Sequence, residues 1–169
     1  MALLAYMWAK GQKSGPINGS VTQKGRENSI AVLGYSHQMF VPLNSSTGLP
    51  AGARMHKPLV ITKETDKSTP LFYQILCTNE NLTEVTIKFW APVIKAASGV
   101  GVGSEKQNYT IKLTNANIAG VELLTQEFSH SENVTAAKEI EKISFTYQQI
   151  QWTWTDGGIT AQDDWEARV

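Results

Sequence analysis

Three histidines, one cysteine and a run of alternating glycines are the residue types here that could carry chemistry. Their spacing argues against each use in turn. His37, His56 and His130 stand far apart, with no His-Glu-x-x-His helix and no short His-x-His pair, so no local frame for a metal exists. Dispersed histidines of this kind more often satisfy local hydrogen bonds. Ser36 and His37 are neighbours on a strand-like segment and point to opposite faces, which bars a nucleophile–base pair. No Gly-x-Ser-x-Gly elbow occurs. Cys77 is the only cysteine, so disulfides within the chain and Cys-based zinc sites are out. Its place beside Ile75 and Leu76 predicts burial as a small apolar residue rather than service as a nucleophile. Gly99-Val-Gly101-Val-Gly103 brings its third glycine one residue early for a dinucleotide fingerprint and lacks a following Lys-Ser/Thr; it reads as a flexible hairpin tip over Ala97 to Gly103. Asp163 and Asp164 fall in a tail without neighbours that would make a metal or acid–base pair. The expectation is no catalytic constellation, no cofactor and no metal: not an enzyme.

Two surfaces could bind instead. Lys88, Trp90 and Lys112 would make a basic, aromatic strand face of the kind single-stranded nucleic acid stacks on. Trp152 and Trp154 would make a platform for sugar. Charge weighs against the first: 15 Lys and Arg balance 15 Asp and Glu, and charged residues are 18% of the chain against a usual ~25%. No global field draws such a chain to nucleic acid or to an anionic membrane. Trp152 and Trp154 alternate with Thr and Gln and read as an inward stripe. The apolar opening, Met1 to Lys10, has no basic leader region and is too short to span a bilayer, so the chain reads as cytoplasmic at synthesis, with no membrane insertion.

The elements that position these residues follow a period of two. Leu4, Tyr6 and Trp8 suit a half-buried first strand. Ser29 to Met39 is strand-like, with Ile30 and Val32 on one face and Leu33 and Tyr35 on the other, so that both faces would be partly covered. Leu59-Val60-Ile61 is a short apolar run; Val85, Ile87 and Phe89 share a face, as do Ile111 and Leu113. Ile143, Phe145 and Tyr147 form an odd stripe and Ile150, Trp152 and Trp154 an even one, so a bulge or a switch of sheet is needed near Gln148. Asp156-Gly157-Gly158 signals a turn. One helix is predicted, with an N-cap hydroxyl from Asp66-Lys-Ser-Thr69, Pro70 in the first turn, and Leu71, Phe72, Ile75 and Leu76 on one face. A second helical turn is weakly signalled over Val134 to Lys138. The fold class is mainly β: an antiparallel barrel or sandwich flanked by one short helix, in a single domain over 1–169. At 169 residues such a domain hides roughly 70% of its unfolded surface. Asn44 to Ala53 is too long for a mere connection, and such loops work at surfaces.

Read together, several segments resemble the haemolysin-coregulated proteins (Hcp), which form the inner tube of type VI secretion systems. The strongest block is Gly52-Ala-Arg54-Met-His56-Lys-Pro58 followed by Ile61-Thr-Lys63-Glu-Thr-Asp66-Lys-Ser-Thr-Pro70-Leu71. Ile17-Asn-Gly19-Ser20, Asn108-Tyr109, Ile140-Glu-Lys-Ile143-Ser-Phe145, Ile150-Gln-Trp152-Thr-Trp154, and Asp164-Trp165 with Arg168 follow the family's order. The resemblance implies a β-barrel flanked by one helix and a non-catalytic subunit that closes into a homo-hexamer. It further implies rings that stack into a tube, meet a sheath and a spike, shelter effectors, and leave the cell through their own machine without a signal peptide. Asn44, Ser45, Ser46, Thr47, Gly48 and Leu49, anchored by Arg54 and His56, resemble the family's extended loop and are the candidates for ring stacking. Arg54 and His56 have an equally good alternative as a salt bridge and a satisfied hydrogen bond within one protomer. Two other functions fit the residues: a phage-type tail tube protein, and a monomeric β-barrel that binds sugar or single-stranded nucleic acid.

Overall fold

The computed structural model describes residues 4–92, 105–125 and 139–165. In chain order the elements are β1 (Leu4–Gly11), β2 (Gly15–Ile17), β3 (Ile30–Val32), β4 (Gly34–Ser36), β5 (Met39–Phe40), β6 (Met55–His56), β7 (Leu59–Glu64), α1 (Thr69–Thr78), β8 (Leu82–Pro92), β9 (Glu105–Thr125), β10 (Glu139–Trp154) and β11 (Ile159–Asp164). The main sheet runs β2-β1-β8-β9-β10-β7-β4, with β11 beside β10 and β3 beside β1, all antiparallel. Only Leu33 separates β3 from β4, so the run Ile30–Ser36 pairs with β1 near one end of the path and with β7 near the other. Ala31 stands opposite Tyr6, Tyr35 stands opposite Ile61, and the Leu33 N–H donates to the Thr62 carbonyl at 2.8 Å. The sheet thus curls toward itself as a barrel around Met7, Ile30, Leu59, Ile61, Ile87, Ile111, Leu113, Ile143 and Phe145.

The phase change expected near Gln148 is a property of three strands, not one. Leu82, Ala116 and Tyr147 are buried neighbours across β8, β9 and β10; so are Val85, Leu113 and Ile150, on the opposite parity of each strand. The line between them passes Asn115, whose φ of 50° is the left-handed turn that reverses the side-chain alternation. Its side-chain amide donates to Gln148 Oε1 at 2.7 Å. Along the same crease β10 changes its outer neighbour, from β7 up to Phe145 to β11 from Gln149 onward. A register shift at Ser144/Phe145 supplies a bulge just before it.

The helix forms where expected, but its start is built differently. The Ser68 hydroxyl makes no cap; it donates to Asp66 Oδ1, and that oxygen also accepts the Ser68 N–H at 2.9 Å. Phe72 and Ile75 are fully buried, Leu71 and Leu76 partly so, and the Phe72 ring meets Phe145 at 6.4 Å. Asn79 ends the helix at φ 50°, and Glu80 N–H returns to the Ile75 carbonyl at 3.0 Å. Cys77 is exposed, which corrects the expectation of burial: two residues beyond Ile75 is roughly 200° around the helix, facing away from the sheet.

On β1 the inward residues are Met7 and Ala9, while Tyr6 and Trp8 lie on the other face. Leu33 and Tyr35 remain exposed, although Tyr35 stands opposite the buried Ile61 and its ring lies 5.0 Å from that of Phe89. Trp152 packs partly against the core, whereas Trp154 is 45% exposed, so the inward stripe ends one residue pair early. Trp152→Ala should therefore cost about 2–3 kcal/mol in urea denaturation, short of the 3–5 of a fully buried ring. A loss under ~1 kcal/mol would place the ring in solvent. The turn at Thr155–Gly158 is present, with Gly157 and Gly158 at φ 96° and 68°. The expected hairpin tip at 97–103 and helical turn at 134–138, and His130, lie outside the described residues.

Candidate assembly interface

The segment between Ser36 and Leu59, which includes the Asn44 to Ala53 stretch read as a surface loop, folds as a narrow ribbon. Met39 pairs with His56 and Phe40 with Met55; an isolated bridge joins Leu43 and Pro50. Ala51 N–H donates to the Pro42 carbonyl at 2.8 Å, and Lys57 N–H to Gln38 at 2.9 Å. Asn44 organises the tip. Its side-chain oxygen accepts the N–H groups of Ser46 (2.8 Å) and Thr47 (3.2 Å), and its own N–H meets the Leu49 carbonyl at 2.9 Å. Gly48 takes φ 68°, a conformation a residue with Cβ avoids. The six tip candidates, Asn44 to Leu49, are all exposed. So are the ribbon's apolar side chains, with Leu43 at 65% and Leu49 at 64%, beside Met39, Phe40, Val41 and Met55. Scattered exposed leucines mean nothing, but a contiguous apolar ribbon marks a surface that expects a partner.

The other two candidates, Arg54 and His56, hold the ribbon's base from within the same chain. Arg54 Nε donates to Asp163 Oδ2 and its Nη2 to the Asp164 carbonyl at 2.8 Å. His56 Nε2 lies 2.7 Å from the same Asp163 oxygen, and its Nδ1 2.9 Å from the Tyr147 hydroxyl. His37 Nε2 meets that hydroxyl at 2.6 Å, and Trp165 packs edge-on against the His56 ring at 5.1 Å. Asp163, read from sequence as lacking partners, is thus the centre of the network; β11 folds back along β10 and delivers it there. Two of the three dispersed histidines converge on one phenol because the β5–β6 pairing brings His37 and His56 together beside Tyr147 of β10. The Arg54 guanidinium, aided by His56, holds the Asp163 carboxyl below its ordinary range. Burial, and then the neighbouring His56, lowers His37; burial, and then the Asp163 charge, raises Tyr147. Among the described residues no cluster of His, Cys, Asp and Glu is placed to hold a metal ion.

Residues 6–154 match the family model described as "Type VI secretion system effector, Hcp". The chain belongs to the Hcp family. It is 32% identical to the "Major exported protein" of Pseudomonas aeruginosa, over 100% of this chain and 99% of that one. Among solved structures, Hcp1 from the EAEC 042 pathovar of E. coli superposes with a TM-score of 0.83 at 30% identity, covering 97% of this chain and 99% of that one. The secreted protein Hcp3 of Pseudomonas aeruginosa gives 0.75 at 30% identity, covering 98% and 100%. The fold expected from the resemblance, an antiparallel barrel or sandwich with one flanking helix, is the fold of this Hcp.

Two clusters in this Hcp escaped the sequence reading. Lys63 and Glu141 are fully buried and ion-paired; Lys63 Nζ also donates to the Glu64 carbonyl (2.9 Å) and Thr69 Oγ1 (3.2 Å), and sits 2.9 Å from Asp66 Oδ1. The alternation carried a signal for it. Lys63 shares the inward parity of Leu59 and Ile61, Glu141 that of Ile143 and Phe145, and the two stand directly opposite in the β7–β10 register. The second cluster centres on Arg26, whose guanidinium carbon lies 4.3 Å from the Trp90 ring centre and 4.8 Å from that of Tyr6, with a 2.7 Å bridge to Glu105. No periodicity marks Arg26, which sits in an irregular stretch. It covers the Trp90 ring that the nucleic-acid reading wanted open, while Lys112 is bridged to Glu84 at 2.9 Å and Lys88 lies over Trp8.

Proposed function

We propose that the chain is a structural subunit of a type VI inner tube. Residues 1–169 act as one domain, six copies close into a ring, rings stack, and the tube is exported through its own machine, with effectors in the lumen and sheath and spike as partners. The observation that carries this reading is the ribbon from Met39 to Met55: exposed Met39, Phe40, Val41, Leu43, Leu49 and Met55 around a polar tip, fixed at its base by Arg54, His56 and Asp163. A monomer has no use for so rigid an exposed ribbon; a neighbouring ring does. Ring closure is heterologous, with unlike patches meeting around a closed rotation. β11 pairs only on its β10 side among the described residues and leaves Ile159 70% exposed, which suits it to meet a neighbouring copy. The groove of about 530 Å³ lined by Leu33, Tyr35 and Trp154 is a second lateral candidate.

Export through the type VI machine takes the chain to an external destination. It accords with the "Major exported protein" relative and the secreted Hcp3 neighbour. Sedimentation velocity and negative-stain microscopy of the purified chain test assembly. A discrete six-copy particle, with stacks at higher concentration, is expected; a species that stays at 18.6 kDa at every concentration removes the tube reading.

A further inference from the structure

The hydrogen bonds at the ribbon's base leave little freedom in where the protons sit. Asp163, kept ionised by Arg54, takes the Nε2–H of His56, which leaves Nδ1 of a neutral His56 as an acceptor. Tyr147 has one hydrogen to give, and His56 Nδ1 receives it at 2.9 Å. The Tyr147 oxygen in turn accepts Nε2–H of His37 at 2.6 Å. With both imidazoles neutral, each of these groups has its partner.

One extra proton can be absorbed. If it lands on His56 Nδ1, the Tyr147 hydroxyl turns its hydrogen to His37, which changes tautomer; if it lands on the far nitrogen of His37, the chain keeps its direction. Two protons cannot be absorbed. Both rings then point N–H at one phenol oxygen, the buried Tyr147 hydrogen loses its acceptor, and two cations face each other with ring centres 6.3 Å apart.

We propose that this chain is a proton-linked latch: neutral His37 and His56 hold the ribbon against β10 and β11 in the pose a second copy engages, and protonation of both rings releases it. The proposal rests on the stacking role given to the ribbon above. The groups facing the latch are Arg54 just before β6 and His56 on it, Tyr147 from β10, and Asp163 and Asp164 from β11, the Asp164 carboxylate acting on Arg54 and its carbonyl accepting from it; Lys57 turns away, with its ammonium over Phe40. The sign follows from His37. Burial and His56 hold it below its ordinary 6.5, so the unlatched chain takes up the proton first. Latch stability is complete above that ordinary value and is lost as pH falls through it toward the lowered one.

Hydrogen exchange of the purified chain, read as protection factors over residues 38–57 at about pH 7.5 and about pH 5.5, tests the latch. Wild-type protection should drop roughly tenfold or more in acid while the centre of β9 holds. His37→Gln keeps an N–H for Tyr147 and cannot titrate, so its protection should change less than about twofold. Equal wild-type protection at both pH values, or an equal loss in His37→Gln, overturns the proposal. Should that variant not fold, imidazole ¹⁵N shifts of the wild type decide: His37 and His56 titrating independently sink the latch, and coupled titration supports it. Sedimentation at the two pH values reads assembly separately. Acid should part stacks into rings in the wild type only, and a chain that never assembles yet loses ribbon protection keeps the latch and removes the stacking reading.

Discussion

Lys63→Met is expected to destabilise the chain by about 3–5 kcal/mol, the largest effect of any single substitution outside the apolar core. The substitution keeps the volume of the stem but removes the charge that balances Glu141, which has no exposed surface and whose Oε2 has no hydrogen-bond partner. Thr69 Oγ1 remains on Oε1 at 2.8 Å, and one hydroxyl does not repay a buried carboxylate. For a chain of this length the thermal midpoint should fall by roughly 6–20 °C. Adding Glu141→Leu should recover most of the loss, because an apolar pair of similar size replaces an ion pair at little net cost. Thermal and urea denaturation of the single and double variants measure both. A single-variant loss below ~1 kcal/mol would mean that water reaches the pair.

Deleting Ser45 to Gly52 should do the opposite: leave the fold intact and abolish tube elongation. Every deleted side chain is exposed, so stability should change by no more than about 1 kcal/mol. The Arg54–Asp163 and His56–Asp163 bonds lie outside the deletion and keep the ribbon's stump in place. Rings should still form and fail to stack, and contact-dependent killing by cells carrying only this variant should fall to the level of cells with no tube protein. Unfolding of the deletion variant would assign the ribbon to the core instead, and normal killing would take stacking away from it.

Period-two alternation in the sequence located most strands of the barrel, since the inward residues of β7, of β8 from Val85 to Phe89 and of the start of β10 fall on the parity that the apolar residues mark. The helix was legible from Pro70 and its apolar face. Less was legible where alternation is absent or misleads. Ser29 to Met39 read as one strand, but Leu33 and the residues after Ser36 divide it into β3, β4 and β5, which pair with three different strands. Short strands are set by their neighbours, and neighbours are long-range facts. Asp163 failed for the same reason: nothing near it in sequence predicts that β11 turns back and carries it to Arg54, 109 residues earlier. Cys77 failed through phase, its apolar neighbours Ile75 and Leu76 outweighing its position on the helix's far side. The tip residues Asn44 to Leu49 were found by composition and resemblance, and their turn by the Asn44 side chain.

β9 and β10 stay paired on both sides of the crease at Asn115, from Glu139 to Tyr147 and from Gln149 to Trp154, with one register shift at Ser144/Phe145. A tension applied along those two strands would load their whole ladder in shear, all rungs together, whereas a force across it would peel one rung at a time. In the tube proposed above, load along these strands would therefore meet more resistance than load across them.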